Sequence, residues 1–176
     1  LLEKSRAGYK MGHVQLVDSM IKDGLWDVYN NIHMGSAAEL CSKDKHISRE
    51  EQDAYTTESY KRAQNAAKEG YFKAEITPVM ATPPGGREPV SFFEDEEPFK
   101  VKFDKISSLK PVFEKQGTIT AANASSLNDG ASALVLMTEK KAKLLGLKPM
   151  AKIVAQASAA QAPEWFTTAP SMAMNQ

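Results

Sequence analysis

Cys41 is the only cysteine of this 176-residue chain and its strongest candidate nucleophile. The spacing of Ser36 and Glu39 predicts a short capped helix over residues 37–41, and a helix N-terminus would favour the reactive thiolate. No residue that could act as a base lies at a suggestive spacing. We therefore interpret Cys41 as a buried side chain that packs as a small hydrophobe. A single cysteine excludes an internal disulfide framework and is typical of a reducing compartment.

The three histidines give no clear sign of a metal or catalytic site. His13, His33 and His46 show neither H-x-x-H spacing nor pairing with cysteine, so a transition-metal site is not predicted. A Ser/His/Asp triad stays open because all three residue types are present, but no G-x-S-x-G motif supports it. Neither G-x-G-x-x-G nor a P-loop occurs.

A lysine-rich segment near the middle of the chain carries an anion-binding pattern. Its ammonium groups could meet the phosphates of an adenine nucleotide, while aromatic faces meet the base. The same alternation of charged and apolar residues is typical of a solvated surface strand, which is the interpretation that the pattern alone favours. The residues concerned are Phe99, Lys100, Lys102, Phe103, Lys105 and Lys110.

Residues 118–137 form the most informative stretch of the sequence. A short strand over residues 118–122 should lead into a loop of small polar residues that turns at Asp129 and Gly130. Small residues allow a ligand or another backbone to approach closely, and Asn and Ser side chains supply orienting hydrogen bonds. The backbone carbonyls of this loop could ligate a hard cation if several of them turned inward.

Helices are predicted on both sides of residues 118–137. Val14, Val17, Met20 and Ile21 recur at helical spacing before Gly24. Ser48 with Glu51 predicts a longer helix from about Arg49 to Glu69, ended by Gly70. Its apolar side would carry Ala54, Tyr55, Ala63, Ala66 and Ala67. A further helix over residues 139–145 should end at Gly146.

Strand signals are weaker and more scattered. Residues 74–81 indicate a strand interrupted by Pro78, residues 82–98 an exposed loop with an acidic run, and residues 100–105 a surface strand. Residues 131–137 are apolar without alternation, so both faces should be buried in a layered α/β sheet. Residues 152–157 indicate one more strand. The first hundred residues look like an insertion domain of helices and loops.

Bulk composition excludes several functional classes. Lys plus Arg and Asp plus Glu both number 22, so no net field favours nucleic acid or an anionic membrane. No apolar run approaches the ~20 residues that span a bilayer, so membrane insertion is not predicted. The chain starts without Met or a signal peptide and stops without a terminal signal, which indicates an internal piece of a longer chain.

Five motifs in a fixed order carry a resemblance to a known family. They are Lys22-Asp-Gly-Leu-Trp-Asp27, Ile32-His-Met-Gly-Ser-Ala-Ala-Glu39, Ile47-Ser-Arg-Glu-Glu-Gln-Asp-Ala-Tyr55, Gly117-Thr-Ile-Thr-Ala-Ala-Asn-Ala-Ser-Ser-Leu-Asn-Asp-Gly-Ala131 and Ala169-Pro170. The resemblance that they carry extends over essentially all 176 residues. The chain resembles the thiolase family and, within it, the mitochondrial biosynthetic acetoacetyl-CoA thiolases.

The resemblance implies a partial thiolase-like α/β fold. Residues 1–127 would form the loop domain that binds CoA and begins with the tetramerisation segment. Residues 128–148 would return to the N-terminal half, and residues 149–176 would open the C-terminal half.

The resemblance also implies an acetyl-CoA C-acetyltransferase, an acyltransferase that interconverts two acetyl-CoA with acetoacetyl-CoA plus CoA. In the family, a cysteine is acylated while a second cysteine and a histidine handle the proton. None of these catalytic residues is matched here, Cys41 included, so the chain itself should be inactive. The alternative is an inactive piece that binds acyl-CoA or associates with subunits. The implied setting is a homotetramer (a dimer of dimers) in mitochondrial ketone-body and isoprenoid-precursor metabolism, with the cytosol left open, and without a prosthetic group.

Individual positions follow from the same resemblance. The CoA-binding positions implied are His33, Met34, Tyr60, Lys100, Val101, Lys102, Lys105, Phe113, Ser125 and Leu127. The potassium ligands implied are Tyr60 with the backbone of Ala121, Ala122 and Ala124.

Overall fold

The computed structural model describes Leu2 and residues 4–176, which divide into two compact units. One unit holds the residues up to Ala37 together with Ser126–Gln176, and the other holds Ala38–Ser125. We call them the outer unit and the central unit, after their places in the chain.

The outer unit consists of short elements. A π-helical turn, Met20–Gly24, precedes an antiparallel pair of strands, β1 (Trp26–Asp27) and β2 (Ile32–His33), in which Trp26 lies opposite His33. The unit also contains the start of helix α1 (Met34–Asp44), helix α3 (Glu139–Leu144), a 3-10 helix (Pro163–Thr168) and helix α4 (Ala169–Met174).

The central unit is organised along helix α2 (Arg49–Lys68). The helix begins with the predicted capping box, in which Glu51 N donates to Ser48 Oγ (3.1 Å) and Ser48 N donates to Glu51 Oε2 (2.8 Å). Gly70 follows the helix with a φ of +74°, a conformation that costs glycine little. The other elements are the hairpin β3 (Val79–Ala81) and β4 (Val90–Phe92), and the 3-10 helices Glu97–Phe99 and Phe103–Ser108.

The predicted apolar side of α2 is buried only in part: Ala63 and Ala66 are half-buried, while Ala67 is exposed. Ala54 and Tyr55 are exposed, and Thr56 is the residue that α2 buries. Residues on the same side, such as Gln52, Asp53 and Gln64, are half-buried. Alanine periodicity identified only part of the buried side, because hydrogen-bonding side chains also attach this helix to its neighbours.

Two other helix predictions need correction. Residues 13–18 are not helical, and only the π-helical turn Met20–Gly24 forms. The Ser36–Glu39 box does not form either, because α1 begins at Met34 and Glu39 is directed to another segment. His33 lies at the helix start instead, where its Nδ1 accepts a hydrogen bond from Gly35 N (2.9 Å). The helix after residue 138 was predicted correctly, with a Thr138 side-chain cap and Gly146 at a φ of +65°.

The short strand predictions also differ from the structure. Of residues 74–81, only β3 is a strand, and the predicted loop over residues 82–98 contains its partner β4. Residues 100–105 are not a surface strand, since Phe103–Ser108 forms a 3-10 helix. Residues 118–122, predicted as a strand, pair with no strand. They lead into a turn in which Thr120 N donates a hydrogen bond to the Asn123 side chain.

The long apolar segments do not pair. Residues 131–137 and 152–157 form no strand ladder, and Leu134, Val135 and Val154 are exposed, although burial on both faces was predicted for the first segment. An extended segment becomes a strand only where a neighbour satisfies its N–H and C=O groups, and no described residue does so here. Among the described residues no helix is long and apolar enough to cross a membrane.

Candidate functional site

Helix α2 holds the lysine-rich segment through two hydrogen-bonding side chains. Arg49 Nη2 donates to the carbonyl oxygens of Ile106 (2.9 Å) and Leu109 (3.0 Å). Gln64 Nε2 donates to the carbonyl of Pro98 (2.8 Å). The segment is thus attached to α2 near both of its ends, and Ile106, at one of these attachments, is buried.

The lysines of this segment lie on its surface among carboxylates. Lys100 Nζ is 3.4 Å from Glu97 Oε2 and 3.6 Å from Glu96 Oε1. Lys105 Nζ is 3.8 Å from Asp104 Oδ2. Exposed pairs of this kind are weak, with a typical worth of about 0–1 kcal/mol, so a phosphate can compete for the ammonium groups. The sequence interpretation had treated the acidic run only as a solvated loop.

An open groove of about 370 Å³ runs between α2 and the helix Phe103–Ser108. Its lining combines an aromatic ring, an ammonium group, hydroxyls and carboxylates, which suits a heteroaromatic ring with polar edges. The sequence analysis named only two of the lining residues: Ala54, which it placed on an apolar helix face, and Phe103, which it placed in the lysine-rich segment. It did not identify the other lining residues as part of a site. The lining residues are Asp53, Ala54, Thr57, Glu58, Lys61, Phe103, Ile106 and Ser107.

A buried carboxylate fixes the start of the loop that carries the three alanines. Glu39 is 4% exposed, and its oxygens accept hydrogen bonds from Thr118 N, Thr118 Oγ1 and Ile119 N at 2.8–3.0 Å. Gly117 lies so close that a Cβ there would stand 2.7 Å from Glu39 Cδ. A larger residue at this position would therefore have to displace the carboxylate.

Hydrogen bonds within the loop set its shape. Thr120 N donates to Asn123 Oδ1 (2.7 Å), and Asn123 Nδ2 donates to the Thr118 carbonyl (2.9 Å) and to Asp53 Oδ1 (3.2 Å). Ala124 N donates to the Thr120 carbonyl (3.0 Å). Among the described residues, no donor reaches the carbonyls of the three alanines predicted as potassium ligands, Ala121, Ala122 and Ala124.

The predicted site residues divide between the two units. Within the central unit, Tyr60 is half-buried on α2, Val101 and Phe113 are half-buried, and Lys102 and Ser125 are exposed beside the segments just described. In the outer unit, His33 and Met34 are half-buried at the start of α1, and Leu127 is exposed. The His33 ring contacts Trp26 edge-on, with ring centroids 6.4 Å apart.

The remaining candidate chemistry has no support in the described residues. Cys41 is a free thiol on α1, and it is half-buried rather than buried as predicted. No group of three or more His, Cys, Asp or Glu side chains is arranged to hold a metal ion in the part of the chain that the structure describes.

Comparison with known proteins settles the family. A family model described as the thiolase N-terminal domain matches residues 1–140. This chain belongs to the thiolase family. The Acat5 thiolase of Ascaris suum, solved in complex with coenzyme A, superposes on the whole of this chain with a TM-score of 0.88 and 42% identity, over 44% of its own length. The thiolase-like fold is therefore confirmed.

Curated relatives of similar sequence are named acetyl-CoA acetyltransferase. The acetyl-CoA acetyltransferase of Schizosaccharomyces pombe is 53% identical over 97% of this chain and 43% of its own length. The mitochondrial acetyl-CoA acetyltransferase of mouse is 51% identical over 97% of this chain and 40% of its own length. The chain thus spans less than half the length of these relatives.

Proposed function

We propose that this chain is the CoA-recognition part of an acetyl-CoA C-acetyltransferase. The activity of the whole protein would interconvert two acetyl-CoA with acetoacetyl-CoA plus CoA. One observation carries the proposal: every residue of the chain is covered by the match to a thiolase that was solved with coenzyme A, at 42% identity. Relatives near 50% identity that are named acetyl-CoA acetyltransferase support the same reaction.

The geometry of the central unit supports binding of the nucleotide end of CoA. Lys100, Lys102 and Lys105 lie on a segment that α2 holds at both ends, and ammonium groups on a fixed segment suit phosphates. The groove beside that segment presents the ring of Phe103 and the hydroxyl of Ser107, which suit a purine face and edge. We therefore assign the adenine ring to this groove and the phosphates to its lysine rim.

The other assignments remain proposals from the family resemblance. They comprise the pantetheine contacts of His33 and Met34 and the thiolase domain boundaries after residues 127 and 148. They also comprise the CoA-binding positions Tyr60, Val101, Phe113, Ser125 and Leu127. A homotetrameric, mitochondrial protein of ketone-body and isoprenoid-precursor metabolism stays a prediction as well.

We propose on chemical grounds that potassium binds the loop of residues 118–125, which we call the alanine loop. The carbonyls of Ala121, Ala122 and Ala124 accept no hydrogen bond from the described residues, and backbone carbonyl oxygens are among the ligands that hard cations bind. Tyr60 would supply a further oxygen. When bound, the ion would supply positive charge near this loop, and the chain's own contribution is to hold the carbonyls in place.

The acyl-transfer chemistry is not assigned to residues of this chain. Cys41 matches neither family cysteine, so the role of these residues is to bind and orient the thioester. Acetoacetyl-CoA and CoA mixed with the chain should therefore give no acetyl-CoA. Turnover that disappears in Cys41→Ser would contradict this assignment, whereas binding without turnover leaves the chain as an acyl-CoA-binding part.

Ligand-dependent stabilisation tests the binding proposal directly. CoA and adenosine 3′,5′-bisphosphate, each at ~100 times its Kd, should stabilise the chain by about 2.7 kcal/mol, as measured by thermal unfolding. Lys102→Gln should weaken binding of both ligands about 3–10-fold through loss of a charge-assisted contact. The control Lys68→Gln, at the exposed end of α2, should bind as the parent does. If neither ligand stabilises the parent chain, the proposal fails.

A further inference from the structure

The two ligand-bearing segments of the central unit meet at one carboxylate. Asp53 Oδ1 accepts a hydrogen bond from Asn123 Nδ2 (3.2 Å), at the centre of the alanine loop. Asp53 Oδ2 accepts one from Arg49 Nε (2.8 Å). Arg49 in turn donates through Nη2 to the carbonyls of Ile106 and Leu109, on the lysine segment. A continuous chain of hydrogen bonds therefore links loop to segment through α2.

This chain of hydrogen bonds is partly shielded from water. The side chains of Arg49 and Asp53 are 18% and 13% exposed, and Asn123 is half-buried. A partly buried, charge-assisted pair is screened less than a surface pair and is more costly to break. By contrast, the neighbouring pair of Arg62 and Glu58 on the same helix is 77% and 56% exposed, and within the part of the chain that the structure describes it makes no hydrogen bond to a third segment.

We propose that Arg49 and Asp53 are positioning residues that couple the lysine segment to the alanine loop. The two segments would become ordered together. The lysine segment would then be preorganised before the nucleotide end of the ligand binds to it. The expected effect on ligand affinity rests on the proposed CoA-binding function, whereas the coupling of the two segments does not. Because Arg49 holds two carbonyls and a carboxylate in one planar fork, a lysine cannot replace it, even though the charge is the same.

Amide hydrogen exchange in the ligand-free chain tests the coupling. The reporters are Lys105 N and Leu109 N in the lysine segment, and Thr120 N and Ala124 N in the loop, all of which donate hydrogen bonds. In Arg49→Lys, all four amides should exchange at least about tenfold faster, because the fork is lost. The matched control Arg62→Lys makes the same substitution on the same helix and should leave all four unchanged.

A second variant approaches the chain of hydrogen bonds from its other end. Asn123→Ala removes the bond to Asp53, and since coupling is reciprocal, Lys105 N and Leu109 N should exchange about threefold faster or more. Faster exchange confined to the lysine segment in Arg49→Lys, or confined to the loop in Asn123→Ala, would overturn the proposal. If the amides of the β3–β4 hairpin also exchange faster in Arg49→Lys, that variant has unfolded as a whole. The exchange rates of Asn123→Ala then decide whether the two segments are coupled.

Calorimetry with CoA then separates this proposal from the proposed function. If the parent binds CoA, Arg49→Lys should bind it about fivefold or more weakly, while Arg62→Lys should match the parent. Equal affinity in Arg49→Lys despite faster exchange would overturn the positioning role. Failure of the parent itself to bind CoA would overturn the proposed function, while the exchange data would still decide the coupling.

Discussion

The carboxylate of Glu39 accepts hydrogen bonds from both the backbone N–H and the hydroxyl of Thr118, 79 residues further along the chain. No cation among the described residues pairs with this buried carboxylate. Adjacent N–H groups of Thr118 and Ile119 satisfy it instead, as backbone nests do for anions. The relationship fixes where the alanine loop starts, because both donors belong to its first residues.

Glu39→Gln should destabilise the central unit. The amide NH₂ of glutamine would replace an acceptor oxygen and face N–H donors, leaving a buried group unsatisfied. The expected loss is about 1–3 kcal/mol in the free energy of unfolding, measured by urea denaturation. Glu75→Gln, on an exposed turn of the same unit, should change stability by no more than about 0.5 kcal/mol. Equal stabilities of the two variants would show that the carboxylate is not required.

Gly117→Ala tests the same relationship from the loop side. The new Cβ would lie 2.7 Å from Glu39 Cδ and 3.1 Å from the Glu114 carbonyl, so the carboxylate or the backbone must shift. We expect a loss of about 1–3 kcal/mol in urea denaturation, the usual cost of overpacking. At Gly130 an added Cβ meets nothing within 4 Å, so Gly130→Ala should be neutral or slightly stabilising. A neutral Gly117→Ala would contradict the close approach seen here.

Local signals in the sequence predicted α2 and α3 well, because each depends on residues within one turn. Ser48 and Glu51 complete the cap of α2 by themselves, and Gly146 ends α3 with a φ of +65°. Glu39 shows the limit of this reasoning. Its spacing from Ser36 fits a capping box, but the partners that bind its carboxylate lie at Thr118 and Ile119, and no local pattern reveals them.

The candidate site was predictable to a similar extent. The family resemblance pointed to the lysine segment and the alanine loop, and the spacing of Arg49 and Asp53 is that of an ion pair on a helix. The donation from Arg49 to Ile106 and Leu109 was not predictable, because backbone carbonyls carry no sequence signature. The same limit explains residues 131–137, whose composition predicts a buried strand while strand pairing depends on neighbours elsewhere.

Glu97→Gln should strengthen binding of adenosine 3′,5′-bisphosphate. The Glu97 carboxylate lies 3.4 Å from Lys100 Nζ and competes with a phosphate for it. Removing its charge should lower the Kd about two- to threefold in calorimetry at ~50 mM salt, and the difference should shrink at ~500 mM salt as screening grows. Glu88→Gln, in the exposed hairpin loop, is the control for net charge alone. An equal gain in that control would show that Glu97 acts only through bulk charge.

Acid should loosen the β1–β2 hairpin through Asp27. Hydrogen bonds from the Asn30 side chain (2.7 Å) and from Tyr29 N and Asn30 N hold the pKa of Asp27 below its ordinary value of 3.8. Because the folded-state pKa is the lower one, this stabilisation is complete above pH 3.8 and is lost as the pH falls through the folded value.

The Asn30 amide and Trp26 indole resonances, followed by NMR from pH ~6 to ~2, should report this loss. The Asn30 side chain also donates to Glu164 Oε2 (3.0 Å), so a second carboxylate contacts its amide. The chemical shift of the Asn30 amide is therefore interpreted together with that of the Trp26 indole. In Asp27→Asn, an amide oxygen still accepts from Tyr29 N, but no proton is taken up at this position. The acid transition of the hairpin should therefore disappear in that variant and persist in Asp23→Asn, where the carboxylate lies outside the hairpin. A hairpin transition that survives Asp27→Asn unchanged would assign the acid sensitivity to another group.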